Sequence, residues 1–263
     1  MAGKIIAVAN QKGGVGKTTT TVNLAAALGA RGYSVLLVDI DHQGNATSGL
    51  GISKKDLTDT IYELLIGQSL ADDTIRTTAF PGVSIIPASL DLVGAEIEMV
   101  ELENRETRLR RALASKREQY DFILIDCPPS LGLLTLNSLC AADTVLIPMQ
   151  CEYLALEGLS QLINSLRAVK RKYNEVLDIE GVLFTMYDGR INLHSVVAGE
   201  VKKYFPKKVY QTIITRNVRV SEAPSYGKPV MYYDKHSKGA IAYDQLCDEF
   251  LRKNGLALRK KEG

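Results

Sequence analysis

The chain has 263 residues, 46 % of them hydrophobic and 24 % charged, which suits one full α/β core and excludes a disordered or low-complexity chain. Net charge is only +2, yet residues 1–150 carry 13 basic and 17 acidic side chains while 151–263 carry 19 and 13, so the two parts stand at −4 and +6. That split permits a polyanion-binding face without requiring one, and no run reaches the ~18 apolar residues of a membrane span.

Met1-Ala2-Gly3-Lys4 leads directly into a strand and not into a signal-peptide pattern, so the cytoplasm is the expected compartment. Lys4–Ala9 is a short branched-apolar run that reads as a strand buried on both faces. A helix follows over Lys17–Ala30, and Val35–Asp39 is a second strand. Further along, helices are predicted over Leu57–Ile66, Leu90–Ser115, Leu131–Leu139, Leu154–Tyr173, Asn192–Tyr204 and Gly239–Asn254. Strands are predicted over Val83–Pro87, Phe122–Asp126, Thr144–Pro148, Ile179–Thr185 and Val209–Ile214. Leu159, Leu162, Ile163, Leu166, Val169 and Tyr173 make one apolar stripe, and Leu193, Val196, Val197 and Val201 make another. Each is spaced to pack a helix on a sheet.

This alternation predicts right-handed βαβ units and a doubly wound, mostly parallel central sheet flanked by helices. The expectation is a single domain over 1–263 with a short basic tail at 255–263 and a ligand site at the carboxyl ends of the strands.

Between the first strand and helix lies Lys12-Gly13-Gly14-Val15-Gly16-Lys17-Thr18-Thr19. Glycines let the backbone curl until its N–H groups face phosphate, and a helix N-terminus adds positive potential. Lys17 then reaches the β/γ-phosphates and Thr18 offers a hydroxyl to Mg²⁺, the mechanics of an ATP-binding P-loop. The second strand ends in two carboxylates, Asp39 and Asp41, and Asp41 is placed to orient water. Ile123-Leu124-Ile125-Asp126 is a buried strand ending in the aspartate expected to hold Mg²⁺ through water. Cys127, Cys140, Cys151 and Cys247 show neither C-x-x-C spacing nor a nearby histidine set, so they read as buried free thiols.

An ordinary Walker A motif has glycine five residues before Gly16, where this chain has Gln11 followed by Lys12. The departure resembles the deviant Walker A of the superfamily that includes ParA, MinD, ArsA and the nitrogenase iron protein. That resemblance implies that Lys12 reaches across a dimer to the partner's nucleotide, that Asp41 positions the attacking water and that Asp39 lies near Mg²⁺. The similarity to ParA/Soj proteins continues through Gln43-Gly44-Asn45-Ala46-Thr47, Gln150-Cys151-Glu152-Tyr153, Leu156-Glu157-Gly158 and Arg216-Asn217-Val218-Arg219. Ser221-Glu222-Ala223-Pro224-Ser225 resembles the Soj branch, where this loop lies near adenine, which implies a base contact for Pro224.

The resemblance further implies an ATP-bound homodimer that binds non-specific DNA through Arg190 and Arg219 and is reset when a ParB-type partner stimulates an otherwise slow ATPase, in the cytoplasm on the nucleoid. Lys202, Lys203, Lys207 and Lys208 would extend that basic surface or simply face solvent. With the P-loop ten residues from the start, no N-terminal helix-turn-helix is expected. His42 and Thr215 stand where the family usually has proline, and His42 bears on the switch loop.

Three other readings share this core. A MinD-like division-site ATPase needs an amphipathic membrane anchor, for which Leu256-Ala257-Leu258-Arg259-Lys260-Lys261-Glu262-Gly263 is short and poorly apolar, so no membrane partner is expected. An iron–sulfur carrier needs a cysteine arrangement absent from this sequence. A ParA-like positioner of a non-DNA cargo stays open.

Overall fold

Eight strands form one sheet in the computed structural model, which describes residues 3–55 and 57–257. They are β1 (Lys4–Val8), β2 (Val35–Asp39), β3 (Arg76–Thr77), β4 (Val83–Ile86), β5 (Phe122–Asp126), β6 (Thr144–Met149), β7 (Asp178–Tyr187) and β8 (Ile214–Thr215). Their spatial order is β3-β4-β2-β5-β1-β6-β7-β8, and every pairing is parallel except β3 with β4. In β1, Ile5 and Ala7 enter one core while Ile6 and Val8 enter the other, the period-two alternation of a strand covered on both sides.

The helices among the described residues are α1 (Lys17–Gly29), α2 (Asn45–Gly49), α3 (Ile61–Ile66), α4 (Ala71–Thr74), α5 (Leu92–Glu98) and α6 (Arg108–Leu113), then α7 (Leu133–Ala141), α8 (Ala155–Lys172), α9 (Asn192–Tyr204), α10 (Val218–Glu222), α11 (Val230–Tyr233) and α12 (Lys238–Lys253). Residues of α1, α11 and α12 fill one core, and those of α7, α8 and α9 fill the other. The expected doubly wound, mostly parallel sheet is therefore observed.

Several boundaries differ for identifiable reasons. Leu90–Ser115 is not one helix: Leu102 is extended and Asn104 takes φ +53°, so the chain breaks between α5 and α6. Asparagine tolerates that left-handed conformation better than most residues. The Leu57–Ile66 helix starts only at Ile61, where Thr60 and Glu63 form a reciprocal capping box. Val209–Ile214 does not form a continuous strand. Val209 makes an isolated bridge to Val182, while the N–H groups of Gln211 and Thr212 donate to the Glu249 carboxylate at 2.7 and 2.8 Å instead of to a neighbouring strand. The stripe on α8 buries Leu159, Leu162, Leu166 and Val169 as expected, but α9 buries Val197 and Val201 and leaves Leu193 and Val196 exposed.

All four cysteines are buried free thiols, and burial pushes Cys127 up to about 12, a packing role with no reactive thiolate. No helix among the described residues is long and apolar enough to cross a membrane. The tail expected at 255–263 lies outside the described residues from position 258 onward.

Candidate functional site

Strand β1 lies between β5 and β6, so the segments leaving the carboxyl ends of β1, β2, β5, β6 and β7 converge where the winding direction reverses. The segment after β1 curls through Gly14 at φ +72° and Gly16 at φ +84°, a backbone that side chains with a Cβ adopt only under strain. Asn10 and Thr185 hold it from behind: the Asn10 amide donates to the Pro148 carbonyl at 2.8 Å and the Thr185 hydroxyl to the Val15 carbonyl at 2.8 Å. Gln150 adds a 2.9 Å bond to the Gly14 carbonyl.

With the carbonyls so engaged, the N–H groups are left over. None of Gly13, Gly14, Val15 and Gly16 donates its N–H to another described residue. The first N–H groups of α1 add to that set, and the helix dipole makes the spot attractive to anions. Lys17 is only 7 % exposed, and its ammonium donates to the Lys12 carbonyl at 3.1 Å. Burial lowers its pKa, against the charges of Asp126 and Asp41. A cradle of unspent donors with a buried amine beside it fits a polyphosphate.

Two carboxylates face each other below this cradle. Asp39 and Asp126 pair in register at the ends of β2 and β5, and both are fully buried. Asp39 spends both oxygens on its own chain, accepting from the Thr47 N–H at 2.8 Å, the Thr47 hydroxyl at 2.7 Å and the Asp41 N–H at 3.2 Å. Its pKa is raised to about 6 by burial. Asp126 takes the Thr21 hydroxyl at 3.1 Å on Oδ1, whereas its buried Oδ2 has no hydrogen-bond partner among the described residues. Burial, then the charge of Asp39, raises its pKa well above the ordinary range, opposed by the hydroxyls of Thr18 and Thr21. An orphaned carboxylate oxygen near the Thr18 hydroxyl is the hard-oxygen donor set that a small divalent cation takes.

A cavity of about 440 Å³ lies over the cradle, lined among others by Gly13, Lys17, Thr18, Thr19, Asp41 and His42. It adjoins a second, of about 460 Å³, through Gly16, Thr19 and Met186, and that one is lined by Pro224, Asn217, Val218 and Tyr243. The structure thus brings together Gly13, Gly14, Val15, Gly16, Lys17, Thr18, Thr19, Asp39, Asp41, Asp126 and Pro224. Asp41 is buried and accepts from the Gln43 N–H at 3.0 Å, while His42 stands 3.7 Å from its carboxylate and is partly exposed. Thr215 lines the second cavity.

Lys12 points elsewhere, into an exposed ion pair with Glu152. Arg190 and Arg219 follow β7 and β8, neighbouring strands, so both emerge at the same edge of the sheet as the cavities. Each is held by carboxylates: Arg190 bidentately by Asp188 at 2.9 and 2.7 Å, Arg219 by Glu222 at 2.9 Å and Asp234 at 3.4 Å. Lys203 and Lys208 are paired with Glu200 and Asp178.

Sequence reasoning missed Gln150, Thr185, Met186 and Tyr243. Met186 bridges the two cavities at φ +50° and receives the Gln150 amide on its sulfur at 3.0 Å. Contacts that span 36 to 170 residues leave no local signal.

Comparison with known proteins agrees with this geometry. The AAA domain family matches residues 3–179. The chain is 58 % identical over 247 residues to the sporulation initiation inhibitor protein Soj of Bacillus subtilis, covering 94 % of this chain and 98 % of that protein. It is 52 % identical over 252 residues to the chromosome partitioning protein ParA of Myxococcus xanthus, covering 96 % and 89 %. The structure of cobyrinic acid a,c-diamide synthase from Mycobacterium smegmatis with bound ADP and magnesium superposes with a TM-score of 0.83 at 37 % identity, covering 99 % of each chain.

Proposed function

The chain belongs to the Soj/ParA family of chromosome-partitioning proteins, and from that membership we propose that it is a Mg²⁺- and ATP-dependent dimerising ATPase whose ATP state binds non-specific DNA. The observation that carries this reading is the pairing of unspent donors with an unspent acceptor. The N–H groups of the Gly13–Gly16 loop await an anion, and Asp126 Oδ2 awaits a cation beside it.

Lys17 exchanges the Lys12 carbonyl for phosphate oxygens, a stronger, charge-assisted partner. Thr18 and Asp126 would hold Mg²⁺, Asp126 through water, and the ion would supply positive charge beside the phosphates. Asp39 keeps the Asp41–Thr47 loop in place through its bonds to the Asp41 and Thr47 backbone. Asp41, lining the cavity over the cradle, orients the attacking water. Pro224 and its neighbours in the adjoining cavity receive the base.

Lys12 is uncommitted to this cavity and exposed, so it leaves Glu152 and crosses to the nucleotide of a second copy. The resulting sandwich dimer joins the Arg190 and Arg219 edges of both copies into one basic surface that reads phosphate and no sequence. Hydrolysis, slow alone and accelerated by a ParB-type partner, separates the copies. Differential affinity of the ATP and ADP states for DNA then produces directed transport of chromosome or plasmid on the nucleoid.

Sedimentation velocity tests the dimer step. A non-hydrolysable ATP analogue with Mg²⁺ is expected to double the sedimenting mass of the natural chain, ADP to leave it monomeric, and Lys12→Ala to remove the analogue's effect. A Lys12→Ala chain that still doubled would contradict the crossing role of Lys12.

A further inference from the structure

Helix α5 carries apolar residues on two faces, and the core uses only one. Leu92, Ala95 and Met99 are fully buried, whereas Leu90, Val93, Ile97 and Val100 are 72, 56, 74 and 52 % exposed. Positions 90, 93, 97 and 100 are spaced by three and four. The turn at Leu90 is joined to the helix by the Val93 N–H on its carbonyl, and a 3₁₀ turn carries the helix on through Val100. At about 100° per residue the four side chains fall within an arc of roughly 80° and run about 15 Å. Surface apolar residues scattered singly need no explanation, but four aligned on one helix form a patch of the kind that binds a partner.

The charge around the stripe is mostly negative, with one cation at its far end, where the Arg105 guanidinium donates to the Val100 carbonyl at 2.7 Å. Residues 77–104 contain Asp91, Glu96, Glu98, Glu101 and Glu103 and no lysine, arginine or histidine. Asp91 and Glu98 flank the stripe on one side and Glu96 on the other, with Glu101 at its end; Asp91, Glu98 and Glu101 are exposed. Glu96 also receives the Leu134 N–H at 3.4 Å, which ties α5 to the first turn of α7; in the loop just before that helix Leu131 is 40 % exposed.

We infer that this stripe is a docking surface for a basic amphipathic helix of a partner protein. The acidic border repels nucleic acid and an anionic lipid surface. A second copy of α5 packed on it about a two-fold axis would set carboxylates against carboxylates. A helix with apolar residues every three or four positions and lysine or arginine along its flanks satisfies both the stripe and its border. The inference stands apart from the nucleotide switch, since none of these side chains lines the two cavities of the site.

The test uses the full chain and two synthetic sixteen-residue peptides, one with leucines at three-and-four spacing and lysines elsewhere, the other with glutamates replacing the lysines. Calorimetric titrations are run at one ionic strength. The lysine peptide is expected to bind and the glutamate peptide to give no signal. Val93→Ser/Ile97→Ser and Glu98→Lys/Glu101→Lys are each expected to weaken the lysine peptide at least tenfold, with melting temperatures unchanged because these side chains are exposed. The inference is overturned if the lysine peptide does not bind or if it binds the serine variant equally well, which would mark general attraction to acidic surface. Loss of the analogue-dependent dimer in the serine variant would also overturn it, making the stripe a contact between copies.

Discussion

Asp39 and Asp126 stand opposite each other in register at the ends of adjacent buried strands, yet only Asp126 keeps an oxygen without a partner. Buried carboxylates this close resist ionising together: burial raises both pKa values, the charge of Asp39 raises Asp126 further, and that of Asp41 adds to the rise at Asp39. A bound divalent cation reverses that cost.

Asp126→Asn removes one negative charge from this pair. The nucleotide-free protein is expected to become more stable at neutral pH by about 1–2 kcal/mol, because a buried charged acceptor without a partner is lost. Mg²⁺-supported ATP hydrolysis is expected to fall at least a hundredfold. Urea unfolding and phosphate release on the same preparation check both; a variant that is less stable than the natural chain would contradict the charge argument.

At the opposite ends of the strands, Glu180 is buried and accepts from Lys4 at 2.5 Å, Thr144 at 2.7 Å and Asn254 at 2.8 Å. Burial alone would raise its pKa, but the Lys4 charge and these hydrogen bonds together outweigh burial and hold it below its ordinary 4.5. Because the folded value is the lower one, its stabilisation is present above pH 4.5 and is lost as the pH falls through the folded value. Glu180→Gln is expected to cost about 2 kcal/mol at pH 7. The difference from the natural chain should shrink in denaturant titrations taken progressively below pH 4.5; a constant difference would contradict the ionic origin.

Lys12 and Glu152 form an exposed pair, and such pairs contribute little to folding. Glu152→Gln is expected to leave the melting temperature unchanged. If Lys12 crosses to a second copy as proposed, the substitution is expected to free it and tighten analogue-dependent dimerisation about two- to fivefold, the equivalent of an exposed ion pair of about 0.5–1 kcal/mol. Sedimentation equilibrium measures it, and weaker dimerisation would assign Glu152 to the interface instead.

Much of this architecture is legible in the sequence, since the strands that carry the site are unbroken Val, Ile and Leu runs and the glycine loop announces itself by spacing. The failures have physical causes. Leu90–Ser115 has helical composition throughout, and the extended Leu102 and left-handed Asn104 split it. Arg76-Thr77 is too short to show a strand pattern. Val209–Ile214 looks like a strand until Glu249, far along the chain, takes its N–H groups. In the site, Lys17, Thr18 and Asp126 follow from their motifs, but Gln150 and Met186 are recognised only once β6 and β7 lie beside β1.

Fluorescence-anisotropy binding to random-sequence duplex DNA at one fixed salt concentration tests the central claim most directly, because phosphate contacts vary steeply with salt. The natural chain is expected to bind with a non-hydrolysable ATP analogue and Mg²⁺ but not with ADP. Arg219→Glu, which places a negative charge beside Glu222 and Asp234, is expected to abolish binding while preserving the dimer, and Lys12→Ala to abolish both. Equal DNA affinity in the two nucleotide states would contradict a nucleotide-gated DNA switch, and absence of binding in both would direct the same ATPase core to a cargo other than DNA.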